Sequence, residues 1–328
     1  MAELKRVAGY GTIIALTITS VMGTGLFMGP AIGAGIAGNA SIISWIILAA
    51  VSIYVATCFG ELVAMFPKAG GTYEFSKQTY GRFLSFIIGW LTWLVGNIGT
   101  VVLIVAGVDY LLPGSGLVWL KVVISCLFLL LLNLITLLGI EGSSAMVMIF
   151  TGIILAVILA VVVPGARFVN PGNYVPFFTT PLSKIFVTIF FIAESFFGWE
   201  AASYLAEETK NPEKVIPKSL VISTAIVSVL SVLAIIVMLG IIPASELAKS
   251  GAPFIDTLRV IFSGVAGDRT GKVLDFFSMG IYLTLLGSAV GAVVTMPRLL
   301  LALARDKLFL KQFTEIHPKY STPHKAIY

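Results

Sequence analysis

Val21-Met22-Gly23-Thr24-Gly25-Leu26-Phe27-Met28-Gly29-Pro30 lies inside the first long apolar stretch of a 328-residue chain. An uninterrupted membrane helix would ordinarily run through such a stretch. Three glycines and a proline within ten residues oppose that. A helix broken in hydrocarbon frees backbone N–H and C=O groups, up to about four of each. Lipid offers them no partner, so a break persists mainly where it lines a cavity, and there the freed groups can hold a polar ligand. The competing account is a glycine-rich packing face, because small residues also let helices approach.

The rest of the chain weighs between the two. It is 58% hydrophobic and 11% charged, where soluble domains carry roughly 25% charged residues. The short alternating segments of a membrane β-barrel are absent. The expectation is an all-α, multi-pass membrane protein forming a single transmembrane domain over 1–328. Eight spans are expected, at roughly 10–37, 40–66, 82–112, 118–138, 144–163, 184–207, 218–242 and 273–303. Within the loop 243–272, Phe254–Phe262 reads as a short amphipathic helix on the membrane or over a vestibule. Lys5 and Arg6 before an apolar run superficially resemble a signal peptide. The run is long and has no clear small-residue cleavage site, so it reads as a retained first span.

With the N-terminus inside, 14 of the 21 lysines and arginines fall on the cytoplasmic side, which favours that orientation in a plasma membrane. The net charge of +5 does not indicate nucleic acid, because the cations sit between spans. Cys58 and Cys126 fall in apolar spans and have no metal or disulfide spacing. Lys325-Ala326-Ile327-Tyr328, after a basic loop, reads as the start of a ninth span, which suggests a chain truncated after the eighth.

The sixth span reads Phe190-Phe191-Ile192-Ala193-Glu194-Ser195-Phe196-Phe197-Gly198-Trp199-Glu200-Ala201-Ala202-Ser203-Tyr204. It sets Gly198 between bulky aromatics and places two glutamates at mid-depth. A charged carboxylate there costs about 2.5–3.5 kcal/mol on insertion scales, so function or helix glue must account for it. Glycine-centred interruptions in the first and sixth spans, five spans apart, are the expected signature of two inverted repeats of five helices with a site between two discontinuous helices. The first repeat would cover about 10–163 and an incomplete second about 184–328.

Three stretches resemble the amino acid–polyamine–organocation (APC) superfamily of amino acid permeases. They are Gly23-Thr24-Gly25 with Phe27 and Pro30; Gly60-Glu61-Leu62-Val63-Ala64-Met65-Phe66-Pro67-Lys68-Ala69-Gly70-Gly71-Thr72-Tyr73; and Phe197-Gly198-Trp199-Glu200, followed by Ala206-Glu207-Glu208-Thr209-Lys210-Asn211-Pro212. Arg298 with Ala304-Arg305-Asp306, and His317-Pro318 with Thr322-Pro323-His324, add support. The resemblance covers essentially the whole chain. It implies a LeuT-type 5+5 fold and secondary amino acid transport by alternating access, proton-coupled or by exchange.

The same resemblance implies a site. The substrate α-carboxylate would meet the N–H groups of Gly23, Thr24 and Gly25 at a half-helix N-terminus. The α-amino group would meet carbonyls of Val21, Glu194 and Phe197. Trp93 and Asn97 of the third span are the expected further contacts, with Phe196, Gly198 and Trp199 around them. Glu194 and Glu200 are the candidates for coupling or gating; position 194 is an acid where arginine/agmatine exchangers of the family carry an aromatic gate. The aromatic surroundings suit apolar side chains, while Glu194 would suit basic ones. Some proton-coupled relatives carry a lysine in the fifth span, whereas 144–163 contains none. Ser288 and Thr295 are the only oxygens singled out for sodium, which is the less favoured coupling ion.

Other signals are set aside. Gly33-Ala34-Gly35-Ile36-Ala37-Gly38 matches a dinucleotide fingerprint without the strand it needs. His317 and His324 read as a solvated loop pair. Lys68, Lys77 and Arg82 read as topology charges that Glu61 or Glu74 would pair as an inner latch. There is no HExxH, GxSxG or intramembrane aspartate pair, so neither an enzyme nor a cofactor is expected. A membrane receptor or a non-transporting fragment is the alternative function, and it leaves the paired breaks unexplained.

Overall fold

The computed structural model describes residues 4–112, 116–266 and 270–327. Its helices in chain order are α1 (Tyr10–Val21), α2 (Thr24–Ala37), α3 (Ser41–Met65), α4 (Thr72–Leu111), α5 (Val118–Leu137), α6 (Ile140–Gly165), α7 (Ser183–Ile192), α8 (Ala201–Tyr204), α9 (Pro212–Ile241), α10 (Ala244–Leu247), α11 (Pro253–Ala266), α12 (Thr270–Arg305) and α13 (His324–Ile327). Among the described residues the one extended pairing is a bridge between Ala8 and Thr209.

Among the described residues, seven apolar helical runs are long enough to cross a bilayer. The first of these, Gly25–Met65, spans 41 residues, about 60 Å of helix, twice a hydrocarbon core. It turns at a 3-10 segment, Gly38–Ala40, where Gly38 takes φ 61°. Its first part, α2, therefore completes the pass that the 12-residue α1 begins, and α3 is a separate pass. Counted this way, the eight expected spans each find their helix.

Two boundaries differ from the sequence reading. α4 starts at Thr72 rather than 82, because an amphipathic segment precedes the span and joins it through Gly81 at φ 77°. α9 starts at Pro212, whose missing N–H suits a first helical position. Pro217 lies inside the helix, where its ring removes a single backbone bond.

Packing places the broken spans at the centre. α1 runs against α6, α9 and α12, and α2 lies against α7 and the 3-10 segment Ala193–Phe196. α12 packs along α4. α11 lays one helical stripe, Phe254, Leu258 and Ile261, into the bundle, as the vestibule reading expects. The Phe254 ring packs tilted against Phe27 of α2, their centroids 4.9 Å apart, so α11 caps the bundle.

Candidate functional site

The first break is short. Met22 N–H closes α1 on Ile18 O, Gly23 N–H turns back to Val21 O at 3.0 Å, and α2 starts at Thr24. The opening N–H groups of Thr24 and Gly25 have no acceptor one turn earlier in a helix that begins at Thr24. In the sixth span, α7 stops at Ile192, the 3-10 turn runs to Phe196, and Phe197 is extended at φ −79°, ψ 150°. Gly198 then takes φ 125°.

The two breaks touch. A Cβ on Gly198 would lie 2.6 Å from the Ser20 carbonyl oxygen, and one on Gly25 would lie 2.6 Å from the Ser195 nitrogen. Glycine at both positions is what lets the two interrupted backbones cross.

A cavity of about 230 Å³ opens beside this crossing. From the breaks it is lined by Ser20, Val21, Gly23, Glu194, Phe197, Gly198, Glu200 and Ala201. From α4 come Val95, Gly96, Gly99, Thr100, Val102 and Leu103; from α12 come Ser288, Ala292, Thr295 and Met296, with Tyr204 at the α8 end. Backbone ends and two carboxylates thus stand on one wall, and a mostly apolar surface with glycine gaps on the other. Such a chamber can hold a zwitterion by its backbone atoms and admit an apolar side chain.

Of the residues expected from the sequence, Val21, Gly23, Glu194, Phe197, Gly198 and Glu200 line the cavity. Gly25 backs onto Ser195 instead. Phe196 is fully buried against Trp45, their rings 6.0 Å apart. Trp199 is buried between Phe59 and Phe197, at 6.5 and 6.1 Å. The Thr24 side chain lies outside the described residues.

On α4 the face differs from the expected one. Trp93 stacks on Trp90 at 5.1 Å, and the exposed Asn97 donates to Trp93 O at 2.7 Å within its own helix. The cavity face is Gly96, Gly99, Thr100 and Leu103. Sequence reasoning missed this face; its signal is the run of small residues at helical spacing.

The candidate sodium oxygens have protein partners. Ser288 Oγ bonds to the Met22 and Thr284 carbonyls, and Thr295 Oγ1 donates to Gly291 O at 2.8 Å. Among the described residues no three His, Cys, Asp or Glu side chains gather for a metal. The His317 and His324 rings lie 5.3 Å apart, and His317 Nδ1 accepts from backbone N–H groups of its own turn.

Below the cavity, toward the N-terminal end of α4, the bundle is closed by polar contacts. Tyr204 Oη and Thr72 Oγ1 are 3.0 Å apart. Asp306 accepts from Tyr73 Oη at 2.6 Å and from Lys77 Nζ at 2.5 Å. Burial would raise the Asp306 carboxyl, but these hydrogen bonds and the Lys77 charge hold it below its ordinary value. Burial likewise opposes the Lys77 charge, and the bond to Asp306 with the nearby Glu74 and Asp306 charges outweighs it and raises Lys77. Glu74 is the expected latch acid, 3.4 Å from Lys77 and 4.0 Å from Lys68, whereas Glu61 lines a separate groove with Glu213 and Lys218. Arg298, inside the eighth span, is wholly buried and donates to Glu208 through two bonds of 2.9 and 3.1 Å.

A branched-chain amino acid permease of Bacillus subtilis is 26% identical over 99% of this chain and 72% of its own length. A methylthioribose transporter of the same organism is 26% identical over 98% of the chain and 72% of its own length. A serine/threonine exchanger, also from Bacillus subtilis, is 25% identical over 99% and 74%. The model of the amino acid permease family matches residues 9–328. With two broken spans crossing beside one chamber and that match over nearly its full length, the chain belongs to the amino acid permease family, and its function is amino acid transport across a membrane.

Proposed function

We propose that the chain moves neutral, largely apolar amino acids by alternating access across the plasma membrane, with its N-terminus inside. The observation that carries this reading is the crossing of the two breaks beside the cavity. The substrate α-carboxylate is received by N–H groups at the start of α2, chiefly Thr24 and Gly25, because the Gly23 N–H is already donated to Val21. The α-amino group is received by the carbonyls of Val21, Glu194 and Phe197. Val21 O accepts the Gly23 N–H, and a carbonyl has a second lone pair. The side chain lies toward Val95, Gly99, Leu103 and Met296. In this reading residues 10–163 form the first repeat and 184–328 belong to the inverted second.

Glu194 is the coupling carboxylate in this reading and Glu200 its neighbour on the same wall, with protons favoured over sodium. Exchange is the second reading, favoured by the similarity to the serine/threonine exchanger. The test is uptake of a labelled amino acid panel into proteoliposomes, with and without an inward proton gradient, for wild type and Glu194→Gln. Gradient-driven uptake that loses its gradient dependence in Glu194→Gln supports proton coupling. Uptake that ignores the gradient and needs amino acid inside supports exchange. No movement of any amino acid under either condition overturns the function.

A further inference from the structure

A second cavity, of about 440 Å³, opens at the other end of α1, lined by Leu4, Arg6, Pro67, Lys68, Glu207 and Arg305. Three separate segments bring three cations to it: the strap before α1, the α3–α4 turn and the last turn of α12. One carboxylate faces them, and both its oxygens are engaged. Glu207 Oε2 takes Arg305 at 2.7 Å, and Oε1 accepts from Ala69 N–H at 3.2 Å. Lys68 comes only to 4.0 Å from Glu74, which also takes Lys77 at 3.4 Å and Gln78 at 2.9 Å. Arg6 makes no ion pair among the described residues. The strap is not free to carry Arg6 away, because Val7 and Ala8 N–H donate to Glu208 O and Lys210 N–H donates to Ala8 O, each at 2.9 Å.

The wall therefore carries a net charge of +2 from its four ionised side chains, and like charges held together repel unless an anion joins them. Two guanidinium forks and an ammonium, arriving from three directions, fit a multi-oxygen phosphate anion better than a single carboxylate. We propose that this cavity binds a phosphate group, supplied as free phosphate from the cytoplasm or as a phospholipid headgroup at the inner surface. A phosphate there ties the strap, the α3–α4 turn and the end of α12 together. It thereby stabilises the conformation in which this end of the bundle is closed.

The test is thermal unfolding and calorimetric binding of the purified chain, independent of transport. One arm titrates inorganic phosphate against chloride at matched ionic strength, in detergent. The other, in phosphate-free buffer, compares nanodiscs of zwitterionic phosphatidylcholine alone with nanodiscs containing anionic phosphatidylglycerol. Arg6 and Lys68 are exposed, so Arg6→Gln and Lys68→Gln should retain the fold. Each should weaken binding about tenfold or more, while Lys249→Gln, outside the cavity, should not. Saturable stabilisation by phosphate identifies a soluble ligand. Stabilisation by phosphatidylglycerol alone, lost in the same variants, identifies the headgroup. No stabilisation by either probe, an equal effect of chloride, or undiminished binding in both variants overturns the proposal.

Discussion

Gly198→Ala is the sharpest test of the crossing. At φ 125° an L side chain is strained, at about 1–3 kcal/mol. The added Cβ would stand 2.6 Å from Ser20 O and 3.0 Å from Val21 N. Both are backbone atoms, so no rotamer change relieves the contact, and overpacking of this kind costs about 1–3 kcal/mol more. The sum, about 2–6 kcal/mol, must be met by separating the breaks, which displaces the Val21 and Phe197 carbonyls. Gly198→Ala should therefore lower the unfolding temperature in detergent and also reduce the stabilisation that a saturating amino acid confers. Gly152→Ala is the control: its Cβ meets nothing within 4 Å inside α6, where alanine favours helix by up to about 1 kcal/mol. A Gly198→Ala protein that melts and binds like the Gly152→Ala control would refute the crossing.

Arg298→Met should destabilise the chain by about 3–5 kcal/mol, because it leaves Glu208 charged and buried, whereas Arg298→Met with Glu208→Leu should lose much less. Denaturation of the two singles and the double measures this, and additive losses would show that the pair is not coupled. Asp306→Asn should remove a contribution that wild type holds at neutral pH. A folded pKa below the ordinary carboxylate value means the contribution is present above about pH 4 and fades as pH falls through the folded pKa. Melting curves of the two proteins should converge in acid; a gap that persists there contradicts the ion pair. Lys77 has the opposite sign: its contribution is present below its ordinary pKa and is lost as pH rises through the raised folded value. Under saturating amino acid, hydrogen exchange at Val7, Ala8 and Lys210 should change more than in the middle of α12, and uniform change would show that the strap does not move separately.

The broken spans were legible because glycine and proline act on the backbone directly, whatever surrounds them. Gly23, Gly25 and Gly198 could be placed from composition alone. The face of α4 could not. A membrane helix is apolar on its lipid side and on its cavity side, so hydrophobic periodicity gives no direction. Trp93 and Asn97 were chosen for their chemistry, yet the Asn97 amide is satisfied within its own helix, as polar side chains in membrane helices often are. Gly96 and Gly99, which carry no chemistry, form part of the wall. Arg298 falls inside the expected eighth span, but its partner lies 90 residues away, and nothing local names Glu208 as that partner. The family motif around Glu207 and Glu208 marked this region, but only folding shows that one acid serves the surface cavity and its neighbour the core.

That division of labour bears on how α1 can move. At the break, Ser288 of α12 bonds to Met22 O. At the far end the strap reaches Glu208 through its backbone oxygen, while the Glu208 side chain holds Arg298 of α12. α1 is thus linked to α12 at both ends, by bonds of unequal strength. Breaking the buried pair costs several kcal/mol, since either charge would be left alone in the core. Releasing the strap exchanges three backbone bonds for water at about 0.5–1.5 kcal/mol each. A swing of α1 about Gly23 therefore separates the strap from residues 208–210 and leaves Arg298–Glu208 intact. The cheaper joint is also the one beside the cationic cavity, where a bound phosphate would strengthen it. Opening of this end and occupancy of that cavity are then opposed, by whatever free energy the phosphate contributes to the closed state.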